Sequence, residues 1–228
     1  MEVVALRQGQ LLTERDWPIQ RIYFIESGSA CLFFRGKGPV EIEMEGRFGM
    51  IGLPIVLGVS TAPFRSVVQL PGRALSLSAS DFRLAMAKHP NLGNVLLKYV
   101  LFRLIAEAQA ASCNAKHRLE QRLSKWLLKA YDHIDGDKVE ASHESLSRML
   151  GVRRAGITTQ LGIMEQQKIV HTRRCSIEII DREKLAERTC DCYRFVQAEY
   201  RRLIPIATAE HSVKGGVRTA CANADYSV

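Results

Sequence analysis

The sequence predicts an α+β fold in three parts, and three observations carry that reading. Residues 1–78 show period-two, β-branched runs broken by glycines, the pattern of short strands at regular spacing. Residues 91–113 form one helical run that is apolar on nearly all sides. Residues 142–181, SHESLSRMLGVRRAGITTQLGIMEQQKIVHTRRCSIEIID, read as a short helix, a glycine turn, a second helix and a tight β-hairpin. The three parts are an N-terminal β-barrel of jelly-roll type, a long helix, and a winged helix-turn-helix.

Taken in order, strands are expected over residues 3–6, 21–25, 30–34, 40–44, 66–70 and 74–77, with Gly36-Lys37-Gly38 as a hairpin turn. Ser80-Asp81 caps a short helix that ends at His89-Pro90, where proline disfavours helical backbone in the residue before it. In the long helix, Leu92, Leu96, Tyr99, Arg103, Ala106, Ala110 and Cys113 mark one seam at alternating four and three spacing. Val100, Leu101, Leu104, Ile105 and Ala108 mark another. A barrel can cover one side of such a helix, and the other calls for a second copy. The first seam is therefore the expected interface of a two-fold homodimer, with burial within one large monomer as the alternative. Arg103 within it either fixes the register or signals that the true seam lies one position away.

A further helix is expected over 115–133, with Leu119, Leu123, Trp126, Leu127 and Ala130 on one face and Asp135-Gly136-Asp137 as the loop beyond. Ser142 is a plausible N-cap for the next helix, because its hydroxyl can accept from a first-turn N–H. Glu144 sits at the positive end of that helix. Leu146, Met149 and Leu150 share a face, and Gly151 supplies the turn. In the second helix Ile157, Leu161 and Met164 point inward at i, i+4 and i+7. Arg153, Arg154, Thr158 and Thr159 are left to project outward, as in a helix that enters a DNA major groove. Gly156 and Gly162 each weaken that helix by about 1 kcal/mol relative to alanine. A last helix is expected over 182–203, stopped near Pro205, with a disordered tail over 207–228. The corresponding domains are 1–90 (effector barrel), 91–113 (dimerisation helix), 114–206 (winged helix-turn-helix) and the tail 207–228.

Charge supports a nucleic-acid partner. Between Arg148 and Arg174 there are six Lys/Arg residues against one acid, Glu165. The whole chain has a formal net charge of +8 and a pI of about 9.3, the electrostatic footprint of a phosphate-binding surface. No apolar run of roughly 18 residues would span a bilayer, and MEVVALRQGQ is no signal peptide, so a cytoplasmic protein without a membrane partner is expected. The chain has no GxSxG, no P-loop and no HExxH, so no enzymatic activity and no catalytic residue are expected.

Six cysteines (31, 113, 175, 190, 192 and 220) occur without CxxC spacing. That argues against a zinc ribbon or an iron–sulfur cluster. Cys190 and Cys192 are expected on different faces of the terminal helix, with no metal and no cofactor. A redox or metal role is the other reading of that pair, and a thiol switch through Cys113 or Cys175 is a further one.

Longer stretches carry a family resemblance. IYFIESGSA, GRFGMIGLPIVLG with PFRSVVQLPG, NAKHRLEQRLSKWLL, and LSRMLGVRRAGITTQLGIMEQQKI with IEIIDREKL resemble the Crp/Fnr family of bacterial transcription regulators. The likeness runs from Val3 to about Leu203 and is greatest to the subgroup with GMIGLP, CNAxHxxEQRL and CxCYR. It implies a homodimer on double-stranded DNA, with RNA polymerase as a further partner. The implied effector pocket is Gly49, Met50, Arg65 and Ser66. Met50 stands where cyclic-nucleotide-binding members have a glutamate for the ribose hydroxyl, whereas Arg65-Ser66 matches the arginine facing a cyclic phosphate. Control by cyclic AMP is therefore not expected, and the effector is left unknown.

In the reading helix Arg154 matches the first base-reading arginine, suited to a guanine edge. Ala155 and Thr159 replace the acid and the second arginine of the cyclic-AMP-responsive branch. Ser142, His143, Lys168, Arg173 and Arg174 complete the expected DNA contacts, the last two suited to phosphate or the minor groove. The alternative reading is a small-ligand sensor whose DNA head is secondary.

Overall fold

Two long strands, where four short ones were expected, form the spine of the N-terminal half. The computed structural model describes residues 1–36 and 38–204; Lys37 of the expected hairpin turn and the expected tail over 207–228 lie outside them. β1 (Glu2–Leu6) and β2 (Leu11–Thr13) lead into β3 (Arg21–Gly36), β4 (Gly38–Glu45) and the short β5 (Met50–Ile51). A 3-10 turn at Leu53–Leu57 precedes β6 (Arg65–Ser78). β3 and β6 pair antiparallel from Arg21↔Ser78 to Phe33↔Arg65, with register shifts between Ile25 and Ala30. Gly28 sits at φ 79°, and a Cβ there would overlap the Leu70 carbonyl. A Cβ at Gly72 would overlap the Ser27 carbonyl. The glycines that read as strand ends are thus bulge positions where two backbones approach closely.

The sheet order is β1-β6-β3-β4, with β2 added on β6 and β5 on β3. β1 and β4 lie at its two edges, so the expected closed barrel is corrected to a bent, open antiparallel sheet. Ser78 caps α1 (Ala79–Lys88), its hydroxyl accepting from the Asp81 N–H at 3.0 Å. The helix therefore begins earlier than Ser80-Asp81 suggested.

α2 (Pro90–Lys116) has 27 residues, a length of about 40 Å. Its buried residues are Leu96, Tyr99, Phe102, Arg103, Ala106 and Cys113. Most of them pack on the same chain, in a core shared with Ile22, Met50, Ile55 and Phe82 and with Leu203 near the C-terminus. This corrects the expected dimer seam: Leu96, Tyr99, Arg103, Ala106 and Cys113 are enclosed within the protomer, and Leu92 and Ala110 are half-buried. The exposed stripe runs one position further on, through Leu97, Leu101, Leu104, Ala108 and Ala111. Leu104 is 64% exposed and Leu97 52%. A helix with two offset apolar seams cannot reveal from spacing alone which one its own chain covers.

α3 (Leu119–His133) is followed by β7 (Lys138–Val139), α4 (His143–Leu150), α5 (Arg154–Gln166), β8 (Val170–Arg173) and β9 (Ser176–Ile179). These last strands form a small sheet in the order β7-β9-β8. The single terminal helix expected over 182–203 is instead α6 (Arg182–Glu187) and α7 (Cys192–Leu203), with Cys190 in the turn between them. Asp181 caps α6 by accepting from the Lys184 N–H at 2.9 Å.

One hydrophobic core joins the large sheet to the C-terminal helices. Cys31, Met44 and Leu70 lie in the same cluster as Leu123, Leu127, Leu128, Leu146, Ile157, Leu161 and Ile177. Polar ties flank it: Lys129 to Glu43, and Arg47 to Asp135 at 2.5 Å. Gly46 leaves room for the His133 ring, whose Nδ1 accepts from the Arg47 N–H at 3.1 Å. Burial, with Lys129 and Arg47 nearby, lowers the His133 pKa to about 3.

Candidate nucleic-acid interface

Ser142 and Ser145 cap α4 reciprocally. The Ser142 hydroxyl accepts from the Ser145 N–H at 3.0 Å, and the Ser145 hydroxyl accepts from the Ser142 N–H at 2.9 Å. Ser142 is therefore occupied by the fold, and its half-buried hydroxyl is not a free DNA contact. Gly151 ends α4 at φ 63°, its N–H reaching the Arg148 carbonyl at 3.3 Å. That left-handed residue turns the chain into α5, with Arg153 as N-cap and Arg154 as first helical residue.

Ile157, Leu161 and Met164 are fully buried, so the inward face of α5 is the one the spacing implied. Its outward face exposes Arg153, Arg154, Ala155, Thr158 and Thr159. Among the described residues neither the Arg153 nor the Arg154 guanidinium has an ion-pair or hydrogen-bond partner. Both stand at the positive end of the helix, where backbone N–H groups also favour an anion. Thr158 differs from its neighbours. Its hydroxyl donates to the Arg154 carbonyl at 3.2 Å, and its oxygen lies 3.0 Å from His143 Nδ1. The hydroxyl has one hydrogen, so the imidazole must donate to it. His143 and Thr158 thus tie α4 to the start of α5.

The β8–β9 hairpin presents Arg173, Arg174 and Cys175, all exposed. Cys175 adopts φ 62° at the tip. Arg173 pairs loosely with Glu178 at 3.6 Å, leaving Arg174 without a carboxylate partner among the described residues. Lys168 is exposed at φ 57°, and its N–H closes the end of α5 on the Glu165 carbonyl at 2.9 Å.

Glu165 is the residue that sequence reasoning passed over. Its carboxylate accepts from the Thr172 N–H at 3.0 Å and from the Thr172 hydroxyl at 2.7 Å, with His171 Nδ1 at 2.9 Å. The Thr172 N–H is the main cause holding this carboxyl below its ordinary range. The only acid in a basic stretch pins the hairpin to α5, and its isolation among cations was the available signal. His171 is thereby engaged in structure as well.

The four residues expected to form an effector pocket attach at two different places along β3. Met50 pairs with Phe24, whereas Arg65 pairs with Phe33 and Ser66 with Leu32. Arg65 is exposed and pairs with Glu14 at 3.5 Å, and the Ser66 hydroxyl accepts from Thr13 at 2.7 Å. Gly49 and Met50 instead adjoin a buried polar chain. The Met50 N–H donates to the Tyr99 hydroxyl oxygen at 3.2 Å, and that hydroxyl donates to Glu45 Oε2 at 3.0 Å. Glu45 Oε1 meets Arg103 Nε at 2.9 Å, and Arg103 also reaches Glu107 at 2.5 Å. Burial pushes the Glu45 carboxyl up, against the pull of Arg103 and of the Tyr99 hydrogen bond.

The sequence from residue 121 to 188 matches the family model of the Crp-like helix-turn-helix domain. This part of the chain is a Crp-like helix-turn-helix domain. The matched span runs from α3 to the end of α6 and contains the whole capped pair and hairpin. Solved structures share the fold at low sequence identity. FixK2 from Bradyrhizobium japonicum has a TM-score of 0.67 at 12% identity, over 83% of this chain and 97% of that one. A CRP-family regulator from Thermus thermophilus gives 0.65 at 13%, over 81% and 95%. The c-di-GMP-responsive global regulator CLP of Xanthomonas campestris gives 0.57 at 15%, over 78% and 93%. No curated protein matches the sequence significantly. No described helix is long and apolar enough to cross a membrane.

Proposed function

We propose that this chain is a Crp/Fnr-type DNA-binding transcription regulator that acts as a homodimer reading a two-fold related DNA site, without cyclic AMP. The observation that carries the reading is the pair of guanidiniums, Arg153 and Arg154, exposed at the start of α5 and without a partner among the described residues. Arg154 is suited to a bidentate guanine contact and Arg153 to a base or a neighbouring phosphate. Thr159 supplies a hydroxyl and a methyl on the same face. Thr158 orients the turn through His143, and Arg173, Arg174 and Lys168 supply phosphate contacts.

The second copy is placed along α2, on the exposed stripe Leu97, Leu101, Leu104, Ala108 and Ala111. Its four-three spacing suits a parallel helical seam. The buried Glu45–Tyr99–Arg103 chain supports independence from a cyclic nucleotide, since it already satisfies the polar groups beside Met50.

Selection of bound duplexes from a random DNA pool at about 0.15 M salt, where purely electrostatic binding is weakened, tests this. The expected result is an inverted repeat with half-sites about one helical turn apart. Enrichment of single half-sites would refute the dimer. Enrichment only after a cyclic nucleotide is added would refute independence from it.

A further inference from the structure

Four side chains that the regulatory reading does not use converge at the end of α2. Cys113 lies on its last turns and is fully buried. His117 follows one helical turn later at the C-cap, so the two share a face. Cys190, in the turn after α6, and Cys192, the first residue of α7, are each only 4% exposed. The Cys113 and Cys190 sulfurs are 3.5 Å apart, and Cys192 Sγ lies 3.5 Å from His117 Nδ1. All four donor atoms lie within 4.8 Å of one another. Cys190 and Cys192 therefore do not point apart from one helix, as spacing suggested; the break between α6 and α7 turns both toward α2.

We propose that Cys113, His117, Cys190 and Cys192 form a tetrahedral Cys3His zinc site that pins the end of the long helix to the elbow before α7. Zinc–sulfur and zinc–nitrogen bonds of about 2.3 and 2.0 Å give tetrahedral edges of about 3.5–3.8 Å. The two 3.5 Å separations already match, and the remaining donors close by about 1 Å at most. A disulfide needs sulfurs about 2.05 Å apart and would leave His117 and the second thiol of the pair without a role. A multinuclear iron–sulfur cluster needs ligands spread over separate irons. Three soft thiolates and one imidazole in so tight a set select a single zinc ion.

On loading, the three thiols release three protons to solvent, and the neutral imidazole gives the Nδ1 lone pair. The site then carries one net negative charge. The Gln109 side-chain amide, donating to Cys192 Sγ at 2.9 Å, offsets part of it in the way outer hydrogen bonds support metal thiolates. The ion would join the last turns of α2, its C-cap and the α6–α7 elbow. It would thereby fix the angle at which the long helix enters the reading head.

The test uses the full chain purified under reducing conditions, with zinc measured by mass spectrometry of the metal. One zinc per chain is expected, and the Cys190→Ser and Cys192→Ser variants should lose it while Cys175→Ser keeps it. Should a serine variant fail to fold, the wild-type chain stripped by a chelator supplies the second measurement. Cobalt(II) added to it should give thiolate charge-transfer bands and the intense visible bands of a tetrahedral ion. Zinc re-addition should release about three protons per ion and protect three thiols from alkylation, with Cys175 reactive throughout. The proposal is overturned by reduced protein that holds no zinc and gives no cobalt spectrum. It is equally overturned by a Cys113–Cys190 disulfide in freshly extracted protein, or by full zinc retention in Cys190→Ser/Cys192→Ser. Metal content is independent of any DNA sequence, so this result stands apart from the operator selection.

Discussion

Replacing Arg103 by methionine removes the guanidinium from a nearly closed site and leaves the Glu45 carboxyl beside it. The side chains of Arg103 and Glu45 are only 10% and 6% exposed, with Nε and Oε1 2.9 Å apart. Breaking such a pair from one side costs about 3–5 kcal/mol, a large share of the ~5–15 kcal/mol that holds a typical domain. The sign with pH follows from Glu45. Its folded-state pKa is raised by burial, so its burial is tolerated fully below the ordinary carboxylate range, and stability falls as pH rises through the folded value. Loss of Arg103 raises that value further. The deficit of Arg103→Met should therefore be small near pH 4 and greatest above neutrality. Glu45→Gln in the same chain should recover most of it, because the remaining amide needs no counter-ion. Urea unfolding at fixed protein concentration from pH 4 to 8, followed by circular dichroism, measures all three chains. A deficit below about 1 kcal/mol at pH 8, the size expected of an exposed ion pair, would refute the argument.

Four further outcomes are expected. Arg154→Ala should weaken binding to the selected site by roughly 5–150-fold, the equivalent of ~1–3 kcal/mol, and relax preference at one base pair; Arg174→Ala should weaken all sequences alike and lower the salt slope by about 1, both read by fluorescence anisotropy. Leu104→Glu should convert dimer to monomer in sedimentation without lowering helix content, whereas Leu96→Ala, inside the core, should cost about 2–5 kcal/mol of stability and leave assembly intact. Replacing the α4 cap, Ser142→Ala, should cost about 1 kcal/mol in urea unfolding. His133, held down to about 3 by burial, contributes stability that is complete above its unfolded value and is lost as pH falls toward 3; His133→Gln should flatten that acid limb of the stability profile.

The parts of the molecule legible in the sequence are those set by local chemistry. Ser142, Gly151 and the Ile157–Leu161–Met164 spacing define the capped helix pair, because caps and helical period act within a few residues. The wing was legible for the same reason. The long helix was visible, but its covered side was not, because Leu96 and Leu97 begin seams of equal quality. The contest was settled by α7 and Glu45, about a hundred and fifty residues of sequence apart. The strand register was not legible: local motifs around Gly49 and Arg65 say nothing of where each lands along β3. Cys113 and His117 lie more than seventy residues from Cys190 and Cys192, and only the break after α6 brings them together.

The core that Cys31, Met44 and Leu70 share with Leu123, Leu127 and Leu128 bears on how this molecule can be taken apart. A segment cut out from α3 onward would carry to water the leucines that now face the sheet, and the sheet alone would carry Met44 and Leu70. Neither piece would behave as an autonomous module. The chain should melt in a single cooperative step and resist limited proteolysis between α2 and α3, despite having the element order of a two-part protein.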